Sequence, residues 1–321
     1  MGHENRVSVI IPCYNAAGYI AKCVEALARQ TFGDFLAIFV DDCSTDSTVD
    51  AIEEAAESAG LNYLVIRNGH NCGPGQSRAN GLAVATTKWV CFCDSDDWYD
   101  DGFIERMLGN VEDTGANVGI CGYRVVGERG VVDCAPAAES RLLTASEALR
   151  LDVDSLCVLI VDRNSFRGIE MPDIRNGEDM CVVPALLSRA EGCYVDSACL
   201  YNYLRRSDSA SERPTLAAVD SLLESFRCLR ESIADGFEEE LEFIGVKNCV
   251  YAIFITLFTV GYYPKKAAEI LDGFEKVYPN WRENELIGTL PGYKRLVIRL
   301  VGKRRFAVLR LIALARGLMK L

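Results

Sequence analysis

Short apolar runs alternate with segments of helical periodicity along roughly the first 130 residues of the chain. The runs are rich in β-branched residues, and each ends in polar residues or a turn. Between them, apolar residues recur at the spacing of one helix face. The pattern predicts strands over 7–12, 35–42, 61–68, 88–97 and 117–126, and helices over 17–30, 46–58, 74–86 and 100–113.

This alternation predicts an α/β fold, in which a mostly parallel, Rossmann-like sheet has helices on both faces. In open sheets of this kind, ligands bind outside the carboxyl ends of the strands. Polar residues gather at these ends, so we expect them to form one site. They are Tyr14 and Asn15, Asp41 and Asp42, residues 68–75, and residues 94–97.

The last third of the chain has helical periodicity only. It predicts helices over 215–234, 238–262 and 264–277, followed by a basic terminal segment. The pattern therefore divides the chain into an α/β domain, 1–213, and a helical region, 214–321. Residues 248–264 carry no charge, but they fall short of the roughly 20 residues that a membrane span needs. We expect a buried helix there.

Charge is distributed unevenly along the 321 residues. The chain has 34 basic and 46 acidic residues, for a net charge of -12, which argues against nucleic acid as a partner. Residues 292–321 nevertheless carry nine Lys or Arg residues and no acid. On one helix, Arg295, Arg299, Lys303 and Arg310 would share an arc opposite Val297, Leu300, Val308, Leu311 and Leu318.

A basic face opposite an apolar face is typical of a helix that lies on an anionic membrane surface. A terminal helix packed on the acidic body is the alternative. The 14 cysteines are scattered without a CxxC pair, which indicates reduced thiols. Together these features predict a cytoplasmic protein, peripheral on the inner face of the cell membrane.

Asp94, Asp96 and Asp97 place three carboxylates within four residues, directly after a predicted strand. Such carboxylates repel one another, and a divalent cation would offset the repulsion. Hard oxygen ligands favour Mg²⁺ or Mn²⁺ holding a diphosphate. Trp98 excludes an EF-hand and an aspartyl phosphotransferase loop, because it stands where those loops need a different residue. Taken alone, the loop also fits a solvated acidic turn.

Two common nucleotide motifs are absent. The string nearest to GxGxxG begins at Gly73, has Arg78 at its last position and follows the third strand rather than the first. No GxxxxGK[ST] occurs. Both observations argue against dinucleotide oxidoreductases and P-loop nucleotide triphosphatases.

Four segments together resemble glycosyltransferase family 2, a group of inverting enzymes of the GT-A fold that use nucleotide-diphosphate sugars. The resemblance runs in order from about residue 7 to residue 212 and includes an acidic pair, Glu178 and Asp179. Residues from about 213 onward match no motif of the family. The segments are VSVIIPCYNAAGYIAKCVEALARQTFGDF, VDDCSTDST, NCGPGQSRANGLAVATTKWVCFCDSDDWY and NGEDMCVVPALL, with LYNYLRRSDSAS after them.

The resemblance implies a role for each matching residue. Asp179 would be the general base, and Asp94, Asp96 and Asp97 would supply the metal ligands. Asp42 would accept a hydrogen bond from uracil N3–H, with the Tyr14 ring against the base. The full donor-binding set implied is Pro12, Tyr14, Asn15, Asp42, Asn71, Gly73, Arg78, Asp94 and Arg206.

Structural alternatives stand beside four of these roles. Tyr14 could be an ordinary loop aromatic, and Arg206 could lie in a solvated turn. Asp42 could cap a nearby helix, and acids at 178 and 179 could simply favour a helix start. The stretch around Arg78 also departs from the family pattern, because Ala79 is inserted before Asn80.

We therefore predict an inverting transferase that moves a sugar from a UDP-sugar to a saccharide or lipid-linked saccharide acceptor in cell-surface polysaccharide synthesis. No Q-x-x-R-W motif occurs, so transfer of a single sugar is favoured over polymerisation. One alternative is a sugar nucleotidyltransferase, but CYNAAGYIAK lacks the Gly-rich, basic loop that this needs after the first strand. Another is a non-catalytic sugar-nucleotide binding module, against which Asp94, Asp96 and Asp179 argue.

Overall fold

The chain divides into two units, Met1–Arg206 and Ser207–Leu321. The computed structural model describes residues 5–128, 130–151, 153–174, 177–206 and 214–320, with side chains up to 315 in the last helix. The boundary predicted between 213 and 214 adjoins residues 207–213, which lie outside the described residues, and it stays a prediction.

A ten-stranded sheet forms the centre of the first unit. Its main path runs in the order β3-β2-β1-β4-β9-β6-β10-β5, with β7 paired to β6 and β8 to β10. The strands are β1 (Val7–Cys13), β2 (Phe35–Asp41), β3 (Tyr63–Arg67), β4 (Trp89–Phe92), β5 (Trp98–Tyr99), β6 (Val118–Gly127), β7 (Gly130–Cys134), β8 (Arg141–Leu143), β9 (Leu159–Asp162) and β10 (Cys193–Leu204).

The first four strands of this path pair in parallel, as the alternating pattern predicts. Beyond β4 the sheet is mixed, because β9 enters antiparallel between β4 and β6. The predicted α/β class is confirmed, but β5, β7, β8, β9 and β10 were not predicted. The first four of these are two to five residues long, which is too short for a clear period. The fifth, β10, has twelve residues and was missed.

Helices cover the sheet and follow the predicted segments to within three residues for the first four. They are α1 (Ile20–Ala28), α2 (Thr48–Ala59), α3 (Gly73–Val84), α4 (Phe103–Thr114), α5 (Ala145–Leu149) and α6 (Asp179–Ser188). Gly60 and Gly115 end α2 and α4 with φ of 65° and 72°, the left-handed geometry that glycine adopts without strain. Pro74 lies in the first turn of α3, where its missing N–H costs nothing.

Gly81 lets α3 lie close against the sheet. A Cβ atom at this position would overlap Ile10 Cγ2 and approach Val40 Cγ2 to 3.1 Å. Both contacts are with fully buried β-strand residues. The close packing fixes α3, and with it the side chain of Arg78 one turn earlier, against the carboxyl half of β1 and β2.

The second unit is helical. Its helices are α7 (Leu216–Ser232), α8 (Glu238–Gly245), α9 (Ile253–Val260), α10 (Pro264–Val277), α11 (Gly292–Gly302) and α12 (Phe306–Lys320). A π-helical turn, Val246–Ala252, joins α8 to α9. The joined helix, Glu238–Val260, is long and apolar enough to cross a membrane, but 61% of its apolar window is buried inside the protein. That burial agrees with the predicted buried helix.

The basic terminal segment forms two helices rather than one. The chain breaks after Gly302, and Arg304 has a φ of 53°. Val297 and Phe306 are buried, so the expected apolar face is partly occupied by packing within the unit. Arg310 also leaves the expected basic arc, because its guanidinium donates to the carbonyls of Phe258 and Thr259.

Candidate active site

The loops after β1 and β2 are tied together by one asparagine. Asn15, with a φ of 49°, donates its N–H to Ser44 Oγ at 3.0 Å. Its Oδ1 accepts from Thr45 N at 2.9 Å. Pro12 is buried in β1, whereas the Tyr14 ring is 47% exposed. An exposed aromatic face at this edge is available to a flat ligand.

Asp42 is buried and holds the start of α3. Its Oδ1 accepts from Cys72 N and Asn68 Nδ2, both at 2.9 Å, and its Oδ2 accepts from Gly73 N at 2.8 Å. Burial disfavours its charge, but the bonds from Cys72, Asn68 and Gly73 outweigh this and lower its pKa. Asp42 therefore caps a helix, although it is α3 and not the helix after β2. Asn71 lies exposed in the same loop.

Arg78 joins the acidic loop after β4 to the start of α6. Its side chain is 4% exposed, and Nη2 donates to Asp94 Oδ1 at 2.6 Å. Nη1 donates to Glu178 Oε1 and lies 3.6 Å from Asp179 Oδ1. Although burial lowers the pKa of Arg78, the charges of Asp179 and Asp94 raise it overall. We name Arg78, Asp94, Glu178 and Asp179 the arginine junction.

Asp179 has one oxygen without a hydrogen bond. Its Oδ2 accepts from Leu156 N at 3.2 Å, while Oδ1 is buried without a hydrogen-bond partner among the described residues. Burial raises the pKa of Asp179 to about 7, with Glu178 and Asp94 adding to the rise and Arg78 opposing it. A carboxylate that titrates near neutral pH and keeps a free oxygen can accept a proton.

Asp96 faces a cation of its own. Its Oδ2 lies 3.3 Å from Arg206 Nη2, and the same guanidinium is 4.2 Å from the centroid of the Tyr19 ring. The side chains of Asp96 and Arg206 are 22% and 24% exposed. The structure thus brings Arg206 to the acidic loop, where a diphosphate would also need a counter-charge.

Asp97 is engaged on both oxygens. Its Oδ1 accepts from Leu204 N at 2.7 Å, and Oδ2 accepts from the Tyr201 hydroxyl. Burial and the charges of Asp94 and Asp96 raise its pKa to about 8. In this geometry Asp97 fastens the acidic loop to β10, so it does not fit as a metal ligand.

Asp94 and Asp96 do fit a divalent ion. Their side chains are 39% and 22% exposed, and each supplies the hard carboxylate oxygens that Mg²⁺ and Mn²⁺ prefer. Asp94 Oδ1 accepts from Arg78, and Asp96 Oδ2 faces Arg206, while a carboxylate has about four lone-pair sites in all. Among the described residues, no group of three His, Cys, Asp or Glu side chains is assembled as a metal cluster. Other ligands would have to come from the donor and water.

Sequence reasoning missed three partners in this site. Tyr201 lies in the noted segment LYNYLRR, but its partner Asp97 is 104 positions away. Asn68 bonds Asp42 and Ser77, and Glu178 pairs with Arg78 over 100 positions. Nothing local in the sequence signals these pairs, which exist because α3, α6 and β10 meet at one edge.

The strand order, the acidic loop after β4 and a helix-borne carboxylate near it define a glycosyltransferase of the GT-A fold. The model of the family described as Glycosyl transferase family 2 matches residues 8–146. Over these residues the chain is similar to glycosyltransferase family 2.

Several known proteins are similar to it. The putative teichuronic acid biosynthesis glycosyltransferase TuaG of Bacillus subtilis is 29% identical over 212 residues, covering 66% of this chain and 84% of TuaG. The crystal structure of S. aureus TarS 1-349 in complex with UDP has a TM-score of 0.72 at 19% identity, covering 97% of this chain and 91% of that one. Mannosyltransferase PcManGT from Pyrobaculum calidifontis, in complex with GDP-Man and Mn²⁺, has a TM-score of 0.59 at 15% identity, covering 93% and 86%.

Proposed function

We propose that the protein is an inverting transferase that moves one sugar from a UDP-sugar to a hydroxyl of a saccharide or lipid-linked saccharide. The arginine junction carries the proposal, because it places a carboxylate with a pKa of about 7 beside the acidic loop. The similarity to TuaG, a putative teichuronic acid biosynthesis glycosyltransferase, supports a role in cell-surface polysaccharide synthesis. The TarS complex with UDP supports uridine in the donor.

Asp179 is the general base of the proposed reaction. The acceptor hydroxyl gives its proton to Asp179 Oδ1 as its oxygen attacks the anomeric carbon. The new C–O bond forms while the bond to the β-phosphate breaks, and the leaving UDP keeps that electron pair. One displacement from the opposite face inverts the anomeric centre. Leu156 N holds Oδ2, which orients the accepting oxygen.

Residues at the carboxyl edge of the sheet bind the donor. The exposed Tyr14 ring stacks on the base, a contact worth roughly 1–3 kcal/mol and tolerant of base identity. Asp42, fixed by three N–H donors, presents its remaining lone pairs to uracil N3–H. The loops beside Tyr14 and Asp42 contain Asn15, Asn71 and Gly73, which line the donor site.

Asp94 and Asp96 would hold Mg²⁺ or Mn²⁺. When bound, such an ion neutralises the negative charge that grows on the β-phosphate of the leaving group. The Mn²⁺ in the PcManGT complex supports this assignment. Arg206 is the second cation available to the diphosphate, and its planar guanidinium suits phosphate oxygens.

The second unit is proposed to rest on the inner face of the cell membrane. On α12, Val308, Leu311 and Leu314 are exposed by 42%, 66% and 45%, and residues 292–321 carry nine basic side chains and no acid. Basic side chains near an anionic leaflet each contribute about 1 kcal/mol. An acceptor on a lipid would be confined to the same surface.

Product analysis tests the proposed function. The full chain is incubated with Mn²⁺, an acceptor panel and several UDP-sugars, and the products are resolved by chromatography and NMR. We expect UDP and a glycoside of inverted anomeric configuration. Release of pyrophosphate would indicate a nucleotidyltransferase instead, and tight UDP binding with neither transfer nor donor hydrolysis would indicate a binding module.

A further inference from the structure

A recess in the second unit has no part in the proposed reaction. It has a volume of about 460 Å³, within the range of small-ligand pockets. The wall on one side is α11, and the opposite wall is the pair of 3₁₀ turns that precede it, Trp281–Glu283 and Glu285–Thr289. All of its lining residues lie within 281–303, so the recess belongs to this unit alone.

Three cations of α11 line the recess. Arg295, Arg299 and Lys303 are spaced four residues apart and therefore share one helix face. All three are exposed, and none has an ion-pair partner among the residues that the structure describes. The only acid lining the recess is Glu285. Like charges at this spacing destabilise a helix, and a bound anion would remove that repulsion.

Neighbouring arginines show that acids are within reach elsewhere in the unit. Arg304 pairs with Asp272 at 2.6 Å and with Glu275 at 2.9 Å. Arg282 pairs with Glu275 and lies 4.6 Å from the centroid of the Trp281 ring. In a chain with a net charge of -12, the three cations of α11 form a row without an ion pair among the described residues.

The wall opposite α11 is held in place by its own hydrogen bonds. Asn284 donates to Glu239 O at 3.0 Å and to Glu242 Oε2 at 2.9 Å, and it accepts from Leu286 N at 3.0 Å. Trp281 is 1% exposed. A wall fixed by hydrogen bonds, opposite three exposed cations of α11, is suited to a compact anion.

We propose that this recess binds a phosphate group carried by the acceptor saccharide. The inference rests on the proposed function, in which the donor's phosphates are bound by the first unit, so the acceptor is the substrate left to supply an anion. Two guanidinium forks match phosphate oxygens in pairs. Val297, Ile298 and Val301 of the same helix are buried, and its exposed apolar side chains, Tyr293 and Leu296, do not line the recess. The exposed apolar surface of α11 therefore lies outside the recess, which favours a saccharide phosphate over a membrane as the occupant.

Calorimetric titration of the full chain tests the proposal. The probe is a short phosphodiester-linked glycerol oligomer, added with saturating UDP and Mn²⁺ so that the donor site is filled. We expect Arg295→Gln with Arg299→Gln to weaken binding of the oligomer at least tenfold. The affinity of this variant should not depend more steeply on salt concentration than that of the wild-type protein. Glu285→Gln should tighten binding, because it removes the one negative charge. A neutral dextran oligosaccharide should not bind.

The matched control is Lys265→Gln with Lys276→Gln, which removes two exposed positive charges from α10 of the same unit and should leave the titration unchanged. The exchanged side chains of both double variants are exposed, so equal melting temperatures are expected. Wild-type affinity in the Arg295/Arg299 variant overturns the proposal. So does a wild-type protein that binds anionic phosphatidylglycerol vesicles through these arginines but does not bind the oligomer.

Donor chemistry separates this proposal from the proposed function. UDP binding and UDP-sugar hydrolysis are measured on the same preparations and should not change in the Arg295/Arg299 variant. Transfer to a phosphate-bearing acceptor should show a raised KM and an unchanged kcat. If the wild-type protein fails to bind UDP, the proposed function fails, while titration with the oligomer alone still decides whether the recess takes a phosphate.

Discussion

At the scale of single residues, Asp179 is the side chain whose environment is most specific. Its free Oδ1 and its pKa of about 7 arise from burial beside Glu178 and Arg78. Asp179→Asn keeps the shape and removes the proton acceptor. We expect transfer to fall by about 10²–10⁴ with UDP binding nearly unchanged, as measured by initial rates and calorimetry. An Asn variant that keeps more than about a tenth of the rate would make Glu178 the next candidate.

The same carboxyl sets the acid limb of the pH profile. Below its pKa of about 7, Asp179 is protonated and cannot accept the acceptor's proton. Transfer should therefore rise with pH and level off above about 7, in a kcat profile at saturating donor and acceptor. The residual activity of Asp179→Asn should lack this limb, and an unchanged limb in that variant would assign the titration to another group.

Asp96 should couple nucleotide and metal binding. UDP is expected to raise the melting temperature weakly with a chelator present and clearly with Mn²⁺, because the ion bridges carboxylate and phosphate oxygens. Asp96→Ala should abolish the difference. Asp101→Ala is the matched control, since Asp101 is an exposed acid near the same loop that pairs only with the exposed Arg29. Asp100 is unsuitable, because it bonds Arg124 and Asn202. If UDP raised the melting temperature equally with and without the chelator, the metal assignment would be contradicted.

Single residues also show where sequence reasoning reaches its limit. The acidic loop and the Glu178–Asp179 pair are visible as local strings, so their positions could be predicted. The engagement of Asp97 by Tyr201 could not, because it depends on how β10 returns beside the loop. From the sequence, Asp97 is therefore predicted, together with Asp96, as the leading candidate for a direct metal ligand.

At the scale of elements, the close packing of α3 on the sheet sets the position of Arg78 in the site. Gly81→Ala should destabilise the protein, because the added Cβ overlaps Ile10 on β1. Gly109→Ala is the matched control in α4, where a Cβ meets nothing within 4 Å and the exchange should stabilise by roughly 0.5–1 kcal/mol. Chemical denaturation measures both. If both variants changed the free energy of unfolding in the same direction, α3 would be able to move away from β1 without cost.

Elements with strong local signals were predicted, and those specified by distant contacts were not. The strands β1 to β4 are continuous apolar runs bounded by turns, so both their existence and their parallel order follow from the pattern. The insertion of β9 between β4 and β6 depends on a four-residue strand. Likewise, Arg304 at the helix break pairs with Asp272 and Glu275, which an isolated helical wheel cannot show.

At the scale of the whole molecule, the packing of the terminal helices decides how membrane binding is tested. Removing residues 292–321 would expose the partners of Val297 and Phe306, which are buried, and would destabilise the unit for unrelated reasons. Leu311→Ser with Leu314→Ser instead changes exposed positions only. We expect this variant to lose sedimentation with anionic vesicles while keeping its melting temperature and UDP binding.

Salt should mimic that variant only in part, because it screens charge and leaves apolar burial intact. A matched exchange, Val131→Ser with Val132→Ser, removes two exposed apolar side chains of β7 (60% and 62% exposed) and should not affect sedimentation. Unchanged sedimentation of the α12 variant would contradict the proposed location at the membrane.

The arginine junction has a consequence for how this chain can diverge in evolution. Replacing Arg78 alone leaves Glu178 and Asp94 buried or half-buried without their shared cation, and breaking a buried ion pair costs about 3–5 kcal/mol. Replacing Glu178 alone leaves the buried guanidinium of Arg78 without this carboxylate. In the double variant Glu178 no longer needs a cation, and only Asp94 and Asp179 lose theirs, so the cost is smaller than the sum of the two single costs and the substitutions are epistatic. Lineages that drift at one of these positions should therefore change at the other, and alignments of descendants should show positions 78 and 178 covarying.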